Sequence, residues 1–289
     1  MHLMSVERIT KSFSDKILFE NVTFGVESGD KIGIIGVNGT GKSTLLKVIA
    51  GLEPADSGTV SIGRSVKLRM LAQDPTFAPN ETALEHVLGG DSPQLAAVRE
   101  LAEVTAALEL NAGDAALQQR LIAANQRMDE LEAWQMESEA KAALSKLGIH
   151  EYDAHVSIMS GGQRKRVAMA AALLQPSDIL ILDEPTNHID NDSVAWLESM
   201  LQKRKGALLM ITHDRYFLDR VSNRVIELDQ GRAFFYEANY SRFLELKLER
   251  EEREAASEAK RQNLLRNELA WIRRGAQARS TKQKARIDR

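Results

Sequence analysis

The chain has 289 residues, with 38 Lys or Arg and 41 Asp or Glu, so its formal net charge is −3. It contains no cysteine, which excludes disulfide bonds and cysteine-ligated metal sites. No apolar run reaches the roughly 18 residues that a membrane-spanning helix needs, and Met1–Ser5 lack a secretory signal pattern. We therefore expect a cytoplasmic protein with no membrane partner, and any nucleic-acid surface must be local.

A glycine-rich segment follows the first strongly apolar run. The run Ile32–Ile35 is typical of a buried strand, and Leu45–Ile49 is typical of a helix. The intervening G-V-N-G-T-G-K-S-T fits the phosphate-loop pattern, whose backbone amides surround phosphate oxygens. Lys42 can reach the β- and γ-phosphates and Ser43 can ligate Mg²⁺. The predicted nucleotide-binding residues of this segment are Gly36, Asn38, Gly39, Thr40, Gly41, Lys42, Ser43 and Thr44.

An acidic stretch, residues 81–150, follows a predicted strand at Val66–Leu71. It holds twelve Asp or Glu against five Lys or Arg, and it is rich in Ala, Leu and Gln. This composition favours helices. Breaks at Ser92–Pro93 and Asn111–Asp114 predict two helices, about 93–110 and 114–146, that form an antiparallel pair.

Three motifs follow in the second half of the chain. Ser160–Gln163 leads into a predicted helix over 164–174, and its serine and glycines form a second possible anion site. The apolar run 179–182 reads as a strand that ends at Asp183, which can hold Mg²⁺ through water. Glu184 is then placed as a general base for an attacking water. His213 follows the strand 208–211, at the end where ligands bind in open α/β sheets, although alone it would read as a surface or core histidine.

The last fifty residues have an uneven charge pattern. Residues 240–270 lack Pro and Gly and alternate in charge, which predicts a solvated helical rod of roughly 45 Å. Residues 271–289 hold seven basic residues and one acidic residue, so they predict either phosphate contact with RNA or a solvated tail. Trp271 could stack on a base or pack against a helix. The candidate nucleic-acid contacts are Arg273, Arg274, Arg279, Lys282 and Lys284.

In their order, these motifs resemble those of ATP-binding-cassette (ABC) ATPases. The resemblance implies an α/β fold of the ABC-type P-loop NTPases. This fold has a parallel-rich core sheet, a small antiparallel sheet and a helical subdomain with an arm insertion, here followed by a long linker helix. It also implies ATP and Mg²⁺ as cofactors. In this superfamily the Walker A loop of one cassette faces the signature of another, so ATP hydrolysis would need a second cassette.

The resemblance also assigns roles to individual residues. Phe13 matches the aromatic that stacks on adenine, where tyrosine is usual, although it could be a core aromatic. Gln73 matches the Q-loop glutamine that senses Mg²⁺ and the γ-phosphate. Asp190 matches the D-loop aspartate, and His213 matches the switch histidine. Met159 stands where the signature usually begins with leucine. The signature itself matches Ser160, Gly161, Gly162 and Gln163.

A finer resemblance is to the ABC-F subfamily, and within it to Uup-type proteins. Gln73 and Ser160 are 87 positions apart, a few tens more than in transporter cassettes, and the excess resembles the ABC-F arm insertion. Asp183–Asp190, where Ile189 replaces a common leucine, and Thr212–Asp219 resemble the subfamily closely. Residues 271–284 resemble the start of its interdomain linker.

This finer resemblance implies a domain organisation and a function. We expect an ATP-binding domain at 1–238, with its arm insertion at about 81–150, and a basic helical linker at 239–289. Because only one Walker A and one signature occur, we expect a longer protein with a second cassette, or a homodimer. The implied function is a ribosome-associated translation factor that moves arm and linker against rRNA and tRNA. The alternatives are a DNA-associated role, as in Uup-type proteins, and the ATPase subunit of a membrane transporter.

Overall fold

The structure is a computed structural model that describes residues 1–13, 16–71, 75–89, 93–111, 113–131, 133–187, 189–256 and 262. The chain divides into two compact units, Met1–Tyr240 and Ser241–Arg289. The strands are β1 (His2–Phe13), β2 (Lys16–Glu27), β3 (Lys31–Gly36), β4 (Ser57–Ile62), β5 (Leu68–Leu71), β6 (Ile179–Asp183), β7 (Ala207–Ile211), β8 (Arg224–Asp229) and β9 (Arg232–Tyr236). The helices of the first unit are α1 (Lys42–Ile49), α2 (Ala83–Leu88), α3 (Pro93–Leu110), α4 (Ala115–Glu130), α5 (Trp134–Lys146), α6 (Gly161–Leu174), α7 (Asn191–Lys203) and α8 (Arg215–Val221), with a short 3₁₀ helix at Val156–Ile158.

Two sheets form the first unit. Strands β2, β1 and β4 make a small antiparallel sheet in that order. The second sheet has the order β5-β6-β7-β3-β8-β9, in which all pairs are parallel except the antiparallel pair of β8 and β9. Because β6, β7 and β3 are parallel, their carboxyl ends lie at one edge. The predicted parallel-rich core sheet and small antiparallel sheet are confirmed.

The central strands β6 and β7 of the parallel sheet are buried on both faces, and alternate residues face different layers. In β6, Ile179 and Ile181 pack in a core with helix α1 and the antiparallel sheet. Leu180 and Leu182 pack in a second core with helices α2, α5 and α6. Helices α1 and α6 therefore lie on opposite faces of the sheet, and this separates the phosphate loop from the signature.

The acidic stretch is helical, but one boundary was not predicted. Helix α3 spans the predicted 93–110, and it packs against α4. Arg127 near the end of α4 lies 3.0 Å from Glu100 in the first half of α3, as in an antiparallel pair. The predicted helix 114–146 is wrong as a single element, because it breaks between α4 and α5. Ala133 at the break is fully buried. The break lets α5 pack against α2 and α6 while α4 stays on α3, so tertiary packing overrides a locally helical sequence.

In the second unit, residues 241–256 are helical, as the predicted rod requires. Ion pairs three or four residues apart join Arg242 to Glu245, Lys247 to Glu251 and Arg250 to Glu254. Such pairs stabilise a solvated helix modestly. Except for residue 262, which is helical, the rest of the rod lies outside the described residues.

Candidate nucleotide-binding site

The glycine-rich segment forms a tight turn between β3 and α1. Strand β3 buries Ile32 and Ile34 completely, which fixes the position of the turn relative to the sheet. Gly41 at the helix start has a φ of +93°, and a Cβ there would lie 2.8 Å from the Leu18 side chain. At Gly36 a Cβ would lie 2.4 Å from the Leu228 carbonyl oxygen. Only glycine fits these positions, so the backbone amides of the turn stay accessible at the N-terminus of α1.

Lys42 folds back across this turn. Its Nζ donates to the carbonyl oxygens of Gly36 at 2.8 Å and Val37 at 3.2 Å. Burial lowers the pKa of Lys42, whereas the nearby carboxylates of Glu184 and Asp183 act to raise it. Lys42 is therefore a pre-positioned cation above the loop, where an anionic ligand would replace its carbonyl partners.

A second lysine contacts the loop and was missed by sequence reasoning. Lys16, at the start of β2, donates from Nζ to the Gly39 carbonyl oxygen at 2.9 Å. Its register partner across the β1–β2 hairpin is Phe13. The motif pattern gives no signal for Lys16, because its contact arises from the packing of the antiparallel sheet beside the loop.

Asp183 ends β6 as a buried, unpaired carboxylate. Its exposed fraction is 4 %, and neither carboxylate oxygen has a hydrogen-bond partner among the described residues. A buried carboxylate without a partner is costly unless a counter-charge is supplied. This donor set fits a cation that reaches Asp183 directly or through water.

Glu184 and His213 form a pair at the carboxyl ends of neighbouring strands. Glu184 has a φ of +52°, and its amide donates to the Ile211 carbonyl oxygen at 2.8 Å. The Glu184 carboxylate lies 3.3 Å from His213 Nε2 and accepts the His213 amide at 3.3 Å. Burial raises the pKa of Glu184, and the His213 side chain opposes that rise. A carboxylate with a raised pKa at a strand end is a suitable general base.

These residues fit Mg²⁺ and a nucleoside triphosphate. Among the described residues, no three His, Cys, Asp or Glu side chains are grouped so as to hold a metal. A Mg²⁺ ion here would take Ser43 and water-bridged Asp183 from the protein and its other ligands from phosphate and water, as Mg²⁺ commonly does. Gln73, the remaining predicted Mg²⁺-sensing residue, lies outside the described residues.

The predicted signature caps helix α6 and is open to solvent. Ser160 accepts from the Gln163 amide at 3.3 Å, and the Ser160 amide donates to the Gln163 side chain at 2.9 Å. A Cβ at Gly161 or Gly162 would meet nothing within 4 Å. The helix N-terminus is therefore free for an anion, but it lies on the sheet face opposite α1 and is not brought to this chain's own phosphate loop.

Two further predicted residues occupy exposed positions. Asp190 caps helix α7 by accepting the Ser193 amide at 2.9 Å, and this contact lowers the pKa of Asp190. Phe13 ends β1 with 52 % of its surface exposed, so it is not a core aromatic. The candidate nucleic-acid contacts at 273–284 lie outside the described residues.

A family model described as ABC transporter matches residues 19–187, more than half of the chain. The chain belongs to the ABC transporter family. A second model with the same description matches residues 226–289. The family that the motifs predicted is therefore confirmed, and the chain is an ATP-binding ABC cassette.

The curated relatives extend this cassette assignment. The chain is 49 % identical, over its whole length and 46 % of the relative, to "Uncharacterized ABC transporter ATP-binding protein YfmR" of Bacillus subtilis. It is 38 % identical, over 99 % of the chain and 51 % of the relative, to "Energy-dependent translational throttle protein EttA" of Mycobacterium tuberculosis. The Escherichia coli K12 protein of that name is also 38 % identical, over 94 % of the chain and 49 % of the relative. These relatives confirm the ABC-F resemblance, while the Uup-type resemblance stays a prediction.

The chain spans about half the length of these relatives. Among solved structures, "Structure of ATP binding subunit of ABC transporter" matches with a TM-score of 0.57 and 20 % identity over 81 % of the chain and 90 % of that structure. A nucleotide-free ATP-binding cassette from an ABC transporter matches with a TM-score of 0.54 and 23 % identity, over 83 % of the chain and 92 % of that structure. These matches confirm the cassette fold. No described helix of the chain has the length and apolarity to cross a membrane.

Proposed function

We propose that this cassette belongs to an ABC-F translation factor that binds Mg·ATP and hydrolyses it when a second cassette completes the site. The observation that carries the proposal is the 38 % identity, over 99 % of the chain, to a protein named as an energy-dependent translational throttle. The α3–α4 helix pair supports it, because this pair lies in the segment that the ABC-F resemblance assigns to the arm.

The chemistry follows from the residues at the strand ends. The loop amides and Lys42 hold the phosphates, and Phe13 stacks on the adenine. Mg²⁺, held by Ser43, by Asp183 through water and by Gln73, would neutralise phosphate charge. Glu184 accepts a proton from water as that water's oxygen bonds to the γ-phosphorus and the bond to the ADP oxygen breaks. His213 keeps the Glu184 carboxylate oriented and faces the γ-phosphate.

The separation of the phosphate loop from the signature is the reason to propose a second cassette. Ser160 and Gly161 are exposed, and the signature lies on the sheet face opposite α1, so it suits a nucleotide held by another cassette. In a head-to-tail sandwich each signature would cover the other's phosphate loop, with Asp190 beside the junction. The partner is the other half of a longer protein or a second copy of this chain.

Closing and opening of the two cassettes would move the arm and the linker. We propose that these two elements contact rRNA and tRNA. The basic linker residues would then contact backbone phosphates: Arg273, Arg274, Arg279, Lys282 and Lys284. Such contacts are largely independent of base sequence and weaken with added salt. A cytoplasmic location follows from this function.

A pelleting experiment tests the ribosomal role. The protein at its natural length, carrying Glu184→Gln to retain ATP, is centrifuged with ribosomes, and the same sample is tested for shifting duplex DNA. We expect ATP-dependent ribosome pelleting that Lys42→Ala abolishes. Glu137→Gln, the same change at a half-buried position of α5 away from the loop, should leave pelleting at the parent level. Strong DNA binding without ribosome pelleting would overturn the proposal in favour of the DNA-associated role.

A further inference from the structure

A buried lysine lies against Phe13 at the end of β1. Lys11 is only 8 % exposed, and its Nζ donates to the Pro54 carbonyl oxygen at 2.8 Å and to Asp56 at 3.2 Å. The same ammonium lies 5.4 Å from the centroid of the Phe13 ring, which is within cation–π range. The Phe13 side chain nonetheless remains 52 % exposed. One side of the ring is therefore adjacent to a fixed cation, and much of the rest is open.

Asp56 forms hydrogen bonds with the same end of β1. Its Oδ2 accepts both the amide and the hydroxyl of Ser12, each at 2.7 Å, and its amide donates to the Thr10 carbonyl oxygen at 2.9 Å. The Ser12 hydroxyl and amide, followed by Lys11, lower the pKa of Asp56, so the carboxylate stays ionised. Thr10 and Ser12, the two neighbours of Lys11, are thus hydrogen-bonded to Asp56 in the turn before β4. These bonds hold the strand directly before Phe13.

This strand end lies beside the phosphate loop. Phe13 pairs in register with Lys16, and Lys16 donates to the Gly39 carbonyl oxygen of the loop at 2.9 Å. If the phosphates of a nucleotide occupy the loop, its base would therefore lie near Phe13 at the end of the β1–β2 hairpin. Aromatic stacking accepts any base, because every base has a π face.

We infer that Lys11 and Asp56 are positioning residues that hold Phe13 with one face covered and the other free to stack on the nucleobase. This inference rests on the proposed nucleotide site. A ring that is already oriented loses less freedom when the base binds, so more of the stacking free energy appears as affinity. The competing explanation is that Lys11 only neutralises Asp56 and Glu53, which lies 3.6 Å from it. In that case Lys11 would affect folding and have no energetic coupling to Phe13.

A double-mutant cycle with two ligands separates these explanations. Binding of ATP and of inorganic tripolyphosphate, which has phosphates and no base, is measured by calorimetry on this chain. We expect Phe13→Ala to weaken ATP binding about tenfold and Lys11→Met to weaken it about threefold. Tripolyphosphate binding should not change in either variant. In the Phe13→Ala background, Lys11→Met should have no further effect on ATP.

The control is Lys141→Met, which removes another lysine paired with a carboxylate, Glu137 at 2.6 Å, and should alter neither ligand. If Lys11→Met unfolds the chain, Asp56→Asn gives the same test at nearly constant volume. Equal losses of ATP binding in both Phe13 backgrounds, or no loss at all, would overturn the inference. If Lys42→Ala left tripolyphosphate binding unchanged, the phosphate site itself would be wrong, which is a distinct failure.

Discussion

Glu184 and His213 meet through two contacts at one carboxylate. Glu184 Oε1 lies 3.3 Å from His213 Nε2, and Oε2 accepts the His213 amide at 3.3 Å. The left-handed backbone of Glu184 is held by its own amide, which donates to Ile211 at 2.8 Å. Ile211 at the end of β7 and His213 just after it thus orient the Glu184 carboxylate through backbone contacts as well as through the imidazole. A general base requires this kind of preorganisation.

Replacing the carboxylate should therefore remove hydrolysis and leave binding. We expect Glu184→Gln to slow ATP hydrolysis by about 10²- to 10⁴-fold, the usual contribution of a general base. Phosphate release under single-turnover conditions, at protein concentrations where cassettes pair, measures this rate. Glu137→Gln, the same change at a half-buried position of α5, serves as the control and should hydrolyse ATP normally. An undiminished rate for Glu184→Gln would show that another group activates the water.

The same substitution should change how stability depends on pH. Because burial raises the pKa of Glu184, the folded chain holds this proton more tightly than the unfolded chain. Protonated Glu184 therefore adds to the free energy of unfolding. This contribution is fully present below the pKa of Glu184 in the unfolded chain, and it is lost as pH rises through the pKa in the folded chain. Without nucleotide, Glu184→Gln should be more stable than the parent at pH 7, with a smaller advantage at pH 4. Urea unfolding at both values measures the difference, and an advantage that grew with acid would contradict this sign.

The loop geometry predicts different costs for two glycine substitutions. Gly41 and Gly51 both have positive φ, but a Cβ would contact Leu18 at 2.8 Å only at Gly41, whereas at Gly51 it would meet nothing within 4 Å. We expect Gly51→Ala to cost about 1 kcal/mol from backbone strain. Gly41→Ala should cost about 2–4 kcal/mol, because overpacking is added, and it should also abolish ATP binding. Denaturant unfolding compares them, and equal costs would show that the contact relaxes freely.

The signature serine should have two separable effects. Ser160 and Asp114 each cap a helix through a side-chain oxygen, so Ser160→Ala and Asp114→Ala should each lower the free energy of unfolding by about 1 kcal/mol. Only Ser160→Ala should also slow hydrolysis, by about tenfold, the equivalent of one lost hydrogen bond. Hydrolysis is measured at high protein concentration. If both variants slowed it equally, the effect would reflect lost stability alone.

Asp183 should make nucleotide stabilisation depend on the metal. The parent should gain more in melting temperature from ATP with Mg²⁺ than from ATP with a chelator. Asp183→Asn should melt higher than the parent without ligand, because it removes a buried charge whose oxygens accept no hydrogen bond from the described residues, and it should lose the metal-dependent increment. Differential scanning fluorimetry of both proteins, with and without chelator, supplies the comparison. An increment retained in Asp183→Asn would exclude Asp183 from holding the ion.

Local motifs predicted the strand, the turn and the strand end that form the candidate site, because Ile32–Ile35, Gly41 and Asp183 carry their signals in residue type and spacing. The roles of these residues stay predictions. Strand order was not predictable in this way. Strand β3 lies between β7 and β8, and only long-range packing brings Lys42 of its loop near Asp183 and Glu184. The predicted strand over 66–71 is shorter, at Leu68–Leu71, and the predicted helix over 164–174 begins at Gly161, where Ser160 caps it.

Other features have no signal in a single sequence. The break near Ala133 contains no described proline or glycine, and it exists because α5 must turn to reach α2 and α6. Lys16 and Lys11 look like ordinary exposed strand residues until the antiparallel sheet places one on the loop and the other against Phe13. The contact between the Thr186 and Thr212 hydroxyls, at 2.8 Å, likewise joins loops 26 residues apart.

The Asp183 carboxylate, which accepts no hydrogen bond within the described part of the chain, also affects the resistance of the chain to proteolysis. A buried carboxylate whose oxygens accept no hydrogen bond lowers the free energy of unfolding, and a bound cation would offset that cost. Proteases act on transiently opened chains, so degradation speeds up when ligand is scarce. Added ATP and Mg²⁺ should therefore slow proteolysis of this chain.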